Sequence, residues 1–119
     1  MIKFKRLVHF LISVPEGKIE EARIFYGQVL GLEEIRGNHP KGAKWFNMGD
    51  IELHIREESN QNISDRHPAF EIEDLELAKN YLLQSSVQLS YSSDIDGRDR
   101  FFIRDPFDNR IEFLEYISR

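Results

Sequence analysis

The chain has 119 residues, of which 40% are hydrophobic and 31% are charged, as expected of one small globular domain. The net charge of −5 argues against a nucleic-acid partner, because a phosphate-binding surface needs clustered Lys and Arg. The sequence contains no cysteine. This excludes disulfides, thiolate metal ligands and cysteine nucleophiles, and it is compatible with a cytoplasmic location.

The first apolar run, residues 7–14, is predicted to be a β-strand rather than part of a signal peptide. His9 interrupts the run, and no small-residue cleavage site follows it. No other stretch approaches the length of a transmembrane helix, so we expect no membrane contact.

In the first half of the chain, this strand is followed by a helix over residues 18–30. Apolar residues at helical spacing, acidic residues near the start and Gly31 at the end indicate the helix. Runs of β-forming residues separated by glycine-containing turns then predict strands at residues 33–36, 43–48 and 51–57.

The same order returns after a polar segment, residues 58–66, that is predicted to be a linker. Asp74 can cap a helix that runs to about Gln84. Strands are predicted at residues 67–73, 88–92, 98–104 and 110–117. The half-repeats, about 5–58 and 66–117, therefore both read β-α-β-β-β, which indicates a duplication within a single domain of residues 1–119. The predicted fold class is α+β.

A histidine and a glutamate stand in corresponding elements of the two halves. His9 and His67 lie in the first predicted strand of each half, and Glu52 and Glu112 lie in the last. Because alternate residues of a strand share a face, each of the four should point away from the apolar face of its strand. Pseudo-twofold packing of the halves would bring all four together.

Two carboxylates and two imidazoles are costly to enclose unless a cation compensates them. Imidazole nitrogen and carboxylate oxygen suit divalent Zn, Ni, Co, Mn or Fe. Four protein ligands would leave two octahedral positions for water or substrate, where a metal could polarise a carbonyl. The sequence therefore predicts a transition-metal site.

Several segments resemble the vicinal-oxygen-chelate superfamily, which includes glyoxalase I, fosfomycin-resistance thiol transferases, extradiol dioxygenases and bleomycin-binding proteins. The resemblance covers nearly the whole chain. It is carried by residues 9–12, the Phe25-Tyr26 pair before 30–32, residues 51–53, residues 67–70 and, most specifically, residues 105–113.

The resemblance implies two βαβββ modules that form a curved mixed sheet around a metal-binding cup. It also implies that His9, Glu52, His67 and Glu112 are the metal ligands, with Glu52 or Glu112 as the catalytic group that moves a proton. Chains of this type and size commonly form homodimers, sometimes with modules exchanged, and we expect a homodimer here. Ser13 and Arg56 replace an Arg and an Asn of small bacterial glyoxalase I enzymes, so a glutathione-derived substrate is not expected.

Other assignments stay open at this point. His54 shares a face with Glu52 and is either a substitute ligand or a substrate contact. Arg98, Arg100 and Arg104 share a strand face with Phe102, and this face is either a solvated edge or a place where one Arg reaches an anionic substrate group. The predicted substrate-binding residues are His54, Arg56, Arg100 and Phe102.

Two functions follow from these predictions. The first is a metalloenzyme (an isomerase, lyase or thiol transferase) that acts on a small oxygen-chelating substrate. The alternative is a non-catalytic binding protein of the bleomycin-resistance type, which would hold a small molecule or drug without a metal.

Overall fold

The computed structural model describes residues 1–59 and 63–117. The chain divides into two compact units, Met1–Gln61 and Asn62–Arg119. Each unit contains one four-stranded mixed sheet, and each follows the predicted order β-α-β-β-β.

In the first unit, the sheet has the strand order β1-β4-β3-β2. Strands β1 and β4 are parallel, whereas β3 is antiparallel to both β4 and β2. Helix α1 continues directly into a π-helical turn at Phe25–Val29, and a 3₁₀ turn at Pro40–Gly42 precedes β3. The element bounds are β1 His9–Val14, α1 Ile19–Ile24, β2 Glu33–Ile35, β3 Lys44–Met48 and β4 Ile51–Glu57.

The second unit repeats this topology with the strand order β5-β8-β7-β6. Strands β5 and β8 are parallel, and β7 is antiparallel to both β8 and β6. The element bounds are β5 Ala69–Glu71, α2 Leu75–Gln84, β6 Leu89–Ser90, β7 Arg98–Arg104 and β8 Arg110–Tyr116.

Each unit has its own apolar core, formed by residues of its strands and of its helix. In the first unit Val14, Tyr26, Phe46, Leu53 and Ile55 are fully buried. In the second unit the most buried apolar side chains are Leu82, Phe101, Phe102, Ile103 and Ile111. Burial of this apolar surface is the main stabilising contribution to each sheet.

The turns between the last two strands of each unit set the strand register. Gly49 and Asp50 form a two-residue turn in which Gly49 has φ 63°, a conformation that glycine adopts without strain. In the second unit the Asp105 carboxylate accepts hydrogen bonds from the backbone N–H groups of Phe107 and Asn109, at 2.8 and 2.9 Å. These turns pair Asn47 with Glu52 in one sheet and Phe102 with Glu112 in the other.

Several predicted bounds differ from the structure. The first strand starts at His9 rather than residue 7, and the predicted helix over residues 18–30 becomes π-helical at Phe25. The predicted strands at residues 67–73 and 88–92 shrink to β5 and β6, because only residues 69–71 and 89–90 pair with the neighbouring strands. The predicted linker, residues 58–66, includes residues 60–62, which lie outside the described residues.

No helix in the described part of the chain is long and apolar enough to cross a membrane.

Candidate functional site

The first polar cluster consists of His9, Glu52 and His54, all on the first unit. The parallel register of β1 and β4 places the Cα of His9 opposite that of Glu52. His54 Nε2 lies 3.0 Å from Glu52 Oε1. The side chain of Glu52 is 39% exposed, whereas that of His54 is 11% exposed. The imidazole is therefore fixed beneath the surface, and the carboxylate reaches solvent.

The imidazole of His54 is one of four rings that form a continuous stack, in the order His39, Trp45, His54 and His9. Successive ring centroids are 4.0, 3.9 and 3.9 Å apart, and the interplanar angles are 14°, 1° and 15°. At one end of the stack, His39 Nε2 lies 2.7 Å from the carbonyl oxygen of Ile35. Because His54 is covered on both faces, its ring orientation is determined by packing as well as by Glu52.

The second polar cluster consists of His67, Arg100 and Glu112, all on the second unit. Glu112 Oε1 lies 3.0 Å from His67 Nε2 and 3.4 Å from Arg100 Nη1. The Glu112 side chain is only 7% exposed and that of Arg100 only 12%. A carboxylate at this depth needs compensation, and the guanidinium supplies a positive charge beside it.

Phe102 lies beneath the second cluster and is almost completely buried. The ring of His67 meets it edge-on at 5.0 Å, and the Arg110 guanidinium lies 3.8 Å from its centroid. The Arg100 guanidinium is 5.2 Å from the same centroid. Phe102 is therefore covered by cationic and aromatic side chains, and it supports the cluster from below.

The two halves do not superimpose residue for residue. His67 follows His9 by 58 positions and Glu112 follows Glu52 by 60. Accordingly, Glu52 pairs with His9 in the sheet, but Glu112 pairs with Ala69 rather than with His67. His67 precedes β5 and lies two residues earlier in the chain than the offset of 60 would place it, since position 69 is Ala69. A shift of two residues preserves the face of a strand, so His67 still reaches Glu112.

The chemistry of these donors fits a divalent metal in part. With metal–ligand distances of about 2.1 Å, two adjacent octahedral ligands are about 3.0 Å apart, which is the His–Glu separation in each cluster. His67 Nδ1 lies 2.8 Å from the carbonyl oxygen of Asp65. A carbonyl only accepts, so this contact is a hydrogen bond when Nδ1 carries a hydrogen; in that tautomer of an uncharged ring, Nε2 presents a lone pair toward Glu112.

Two acceptors facing each other at this distance require a proton or a metal ion between them. However, no group of three or more His, Asp or Glu residues within 1–59 and 63–117 is arranged to hold a metal ion. Each cluster thus offers one nitrogen and one oxygen donor at this separation. In the second cluster these are the predicted ligands His67 and Glu112, whereas in the first the nitrogen nearest Glu52 is that of His54, whose ring stacks on the predicted ligand His9.

The remaining predicted site residues are distributed as follows. Arg56 lies on β4 and pairs with Glu58 at 3.1 Å, so its guanidinium is engaged within the first unit. Of the three arginines on β7, only Arg100 forms an ion pair with Glu112. Arg98 lies over Tyr116, and Arg104 pairs with Asp65.

Sequence reasoning missed the role of Trp45 and His39 in the ring stack. A signal for Trp45 was present, because a two-residue turn at Gly49-Asp50 places position 45 opposite position 54. No comparable signal identified His39, which reaches the stack from an irregular segment.

Comparisons with known proteins agree with this fold. The model of the Glyoxalase/Bleomycin resistance protein/Dioxygenase superfamily matches residues 6–113. The chain therefore belongs to this superfamily, as the sequence resemblance predicted, and the two βαβββ modules are its fold. A comparison with curated proteins gave no match.

Among solved structures, a Bacillus anthracis protein described as belonging to the glyoxalase family is 35% identical. It covers 98% of this chain and 100% of its own, with a TM-score of 0.87. A lactoylglutathione lyase from Agrobacterium tumefaciens is 19% identical, covers 92% of each chain and has a TM-score of 0.74.

A fosfomycin resistance protein from Listeria monocytogenes is 20% identical, covers 97% of this chain and 94% of its own, and has a TM-score of 0.75. At these identities, the lyase and the resistance protein show similarity of fold alone.

Proposed function

We propose that this chain is a divalent-metal-dependent enzyme of the glyoxalase type, acting as an isomerase, lyase or thiol transferase on a small oxygen-chelating substrate. His9, Glu52, His67 and Glu112 are the proposed metal ligands. The metal is a divalent transition ion such as Zn, Ni, Co, Mn or Fe, all of which accept imidazole and carboxylate ligands.

One observation carries the proposal: in the second unit His67 Nε2 lies 3.0 Å from Glu112 Oε1, and in the first unit Glu52 Oε1 lies 3.0 Å from Nε2 of His54, whose ring stacks on that of the proposed ligand His9. Because both modules present the same two donor types at the same separation, we infer that both pairs contribute to metal binding. In the proposal, the two clusters supply ligands to the same ion, within a single domain or across two exchanged chains.

The surroundings of the two carboxylates favour Glu52 as the group that moves a proton. Glu112 is 7% exposed and is held by Arg100 and His67, which restricts its movement. Glu52 is 39% exposed and borders His54, which can orient it. A mobile carboxylate near substrate can remove a proton from one carbon and return it to the next.

When bound, the metal supplies Lewis acidity that polarises the substrate oxygens. The other proposed substrate-binding residues differ in how they could contact the substrate. His54 is fixed by its ring stack beside Glu52, and Arg56 reaches substrate only by leaving Glu58. Arg100 offers positive charge, while the buried ring of Phe102 positions the residues above it.

A second candidate function is a metal-free binding protein for a small molecule or drug. The observation that favours it is the ion pair between Arg100 and Glu112, which compensates the buried carboxylate without a metal. This candidate predicts tight binding of an organic compound in the presence of a chelator.

The proposal also includes a homodimer located in the cytoplasm. The dimer is typical of symmetric assembly among small proteins, and the absence of cysteine is compatible with the reducing cytoplasm. Light scattering on the purified protein tests the dimer, and the mass of a monomer would contradict it.

Elemental analysis of the purified protein tests the metal site directly. We expect near-stoichiometric transition metal in the unmodified protein and its loss in His67→Ala. His39→Ala is the matched control, because it also removes a stacked or edge-on imidazole but leaves both His–Glu pairs intact. Failure of the unmodified protein to bind added Zn, Ni, Co or Mn would favour the metal-free binding protein.

A further inference from the structure

Arg100 and a metal ion would compete for the same oxygen of the Glu112 carboxylate. Arg100 Nη1 lies 3.4 Å from Glu112 Oε1, the atom that also faces His67 Nε2 at 3.0 Å. A divalent ion at Glu112 would place its charge next to the guanidinium, and like charges this close repel strongly in a shielded site. Metal binding at Glu112 therefore requires the ion pair to loosen.

The ion pair has the features of a contact that can be given up. Its 3.4 Å separation exceeds the roughly 2.8 Å of a well-made charge-assisted hydrogen bond. The guanidinium is anchored elsewhere, because Nη2 donates to the carbonyl oxygen of Ser93 at 2.5 Å. Its buried Nε has no hydrogen-bond partner among the described residues. The Glu112 contact is thus made by Nη1 alone, and it is the weaker of the two contacts that the guanidinium makes.

The neighbourhood of Arg100 favours a negatively charged ligand. Arg110 lies over the same ring as Arg100, with distances of 3.8 and 5.2 Å to the Phe102 centroid. Among the described residues, Glu112 is the one carboxylate that forms an ion pair with Arg100. Two guanidinium groups thus lie near this single negative charge. An oxyanion can satisfy the planar donor fork of an arginine that leaves its carboxylate.

We propose that Arg100 is a displaceable counter-ion of Glu112, which makes the binding of an oxyanion and the binding of a divalent metal favour each other. The inference rests on the proposed function, and it specifies the substrate as a small molecule that carries an oxyanion group. Whichever ligand binds first breaks the Arg100–Glu112 pair, and the second then binds without that cost. Such coupling is reciprocal by thermodynamic necessity.

Calorimetric titration with Co²⁺ tests the proposal on the full chain, in NaCl and in Na₂SO₄ at matched ionic strength. Sulfate is the oxyanion probe. The variants are Arg100→Gln, which removes the counter-ion, and Arg100→Lys, which keeps a positive charge. Arg98→Gln is the matched control, because Arg98 lies on the same strand face but is placed over Tyr116.

In NaCl we expect Arg100→Gln to bind Co²⁺ about tenfold more tightly than the unmodified protein, equivalent to about 1.4 kcal/mol. Arg100→Lys and Arg98→Gln should stay near the unmodified value. Sulfate should tighten Co²⁺ binding by the unmodified protein and by Arg98→Gln, but not by Arg100→Gln. A thermal melt of each protein with and without Co²⁺ provides a second readout, with the largest metal-induced stabilisation in Arg100→Gln.

Equal Co²⁺ affinity in the unmodified protein and Arg100→Gln would overturn this inference and leave the metal site standing. Tightening by sulfate in all the proteins alike would also overturn it, since sulfate would then act without Arg100. If none of the proteins bound Co²⁺ or another transition metal, the proposed function would fall, and the inference with it.

Discussion

The two units share one topology and one His–Glu separation, but they hold their carboxylates by different means. In the first unit, Glu52 is partly exposed and its partner His54 is fixed between aromatic rings. In the second unit, Glu112 is buried and shared between His67 and Arg100. Two modules of one topology can thus present the same types of donor atom while the charge compensation of their carboxylates differs.

The turns that position the two glutamates also differ. A short glycine-containing turn joins β3 to β4, whereas the turn between β7 and β8 is organised by the buried carboxylate of Asp105. The first turn depends on backbone conformation, and the second depends on a side chain. The second unit should therefore be the more sensitive to single substitutions at both its turn and its glutamate.

The largest expected effect comes from removing each carboxylate charge in turn. Glu112→Gln should weaken metal binding at least about 100-fold, beyond the effect of typical outer-shell changes. Glu52→Gln should weaken it only about tenfold, because His54 Nε2 lies 3.0 Å from Glu52 Oε1 and can replace the carboxylate as a ligand. Competition with a fluorescent chelator measures both affinities.

Glu71→Gln is the control for this pair, since Glu71 is an exposed carboxylate on β5. It should retain the affinity of the unmodified protein. An equal, severe loss in Glu52→Gln and Glu112→Gln would show that His54 provides no substitute and would remove this difference between the units.

The next effect concerns the turn of the second unit. Asp105→Ala removes an acceptor of three hydrogen bonds, two from backbone N–H groups and one from the Asn109 side chain at 2.9 Å. We expect a loss of about 3 kcal/mol in the free energy of unfolding, because buried donors are left without a partner. Urea denaturation followed by circular dichroism gives this value.

Asp50→Ala tests the corresponding turn of the first unit. Asp50 is exposed, so its replacement should change the free energy of unfolding by less than about 0.5 kcal/mol. Similar losses in Asp50→Ala and Asp105→Ala would refute the view that only the second turn depends on a side chain.

The elements with strong local signals were predicted well from the sequence. Strands β4 and β7 and helix α2 have the predicted bounds, since turn residues or the Asp74 cap mark their ends. Strands β5 and β6 were predicted too long, because residue type does not determine how far a neighbouring strand extends its ladder. The π-helical turn after α1 had no sequence signal.

At the candidate site, the strand face on which a side chain lies can be predicted from the sequence, but the register between neighbouring strands cannot. Alternation alone assigns Glu52, His54 and Glu112 to their strand faces. The choice of Arg100 over Arg98 or Arg104 requires the β7–β8 register, which the long Asp105 turn left undetermined. The two-residue offset of His67 was likewise hidden, since it preserves the face.

A smaller effect is expected from the ring stack of the first unit. His54→Ala removes two stacked ring contacts and leaves Glu52 without its imidazole, which should cost about 2 kcal/mol of unfolding free energy. His39→Ala removes one contact at the end of the stack and should cost about 1 kcal/mol.

Both variants should change the emission of Trp45, the single tryptophan of the chain, because both imidazoles lie against its ring. The second unit offers a comparison: His67→Ala does not touch Trp45's ring neighbours and should leave the emission in the metal-free protein unchanged. A change in His67→Ala of the same size as in His54→Ala would contradict the assignment of Trp45 as a local reporter.

A further small effect concerns the helix N-termini. Glu57 of β4 accepts from the backbone N–H of Ile19 in the first unit, and Glu115 of β8 accepts from that of Leu75 in the second. Only α2 has an additional local cap, since Asp74 accepts from the N–H of Leu77 at 3.0 Å. Asp74→Ala should therefore cost about 1 kcal/mol of unfolding free energy, the usual value of an N-cap.

Glu115→Gln in the Asp74→Ala background sharpens the comparison. If Asp74 and Glu115 can each partly replace the other at the N-terminus of α2, the double variant should lose more unfolding free energy than the sum of the two single losses. In the double variant α2 has neither cap. Purely additive losses in urea denaturation would instead mean that Asp74 and Glu115 stabilise the helix N-terminus independently, each through its own backbone N–H.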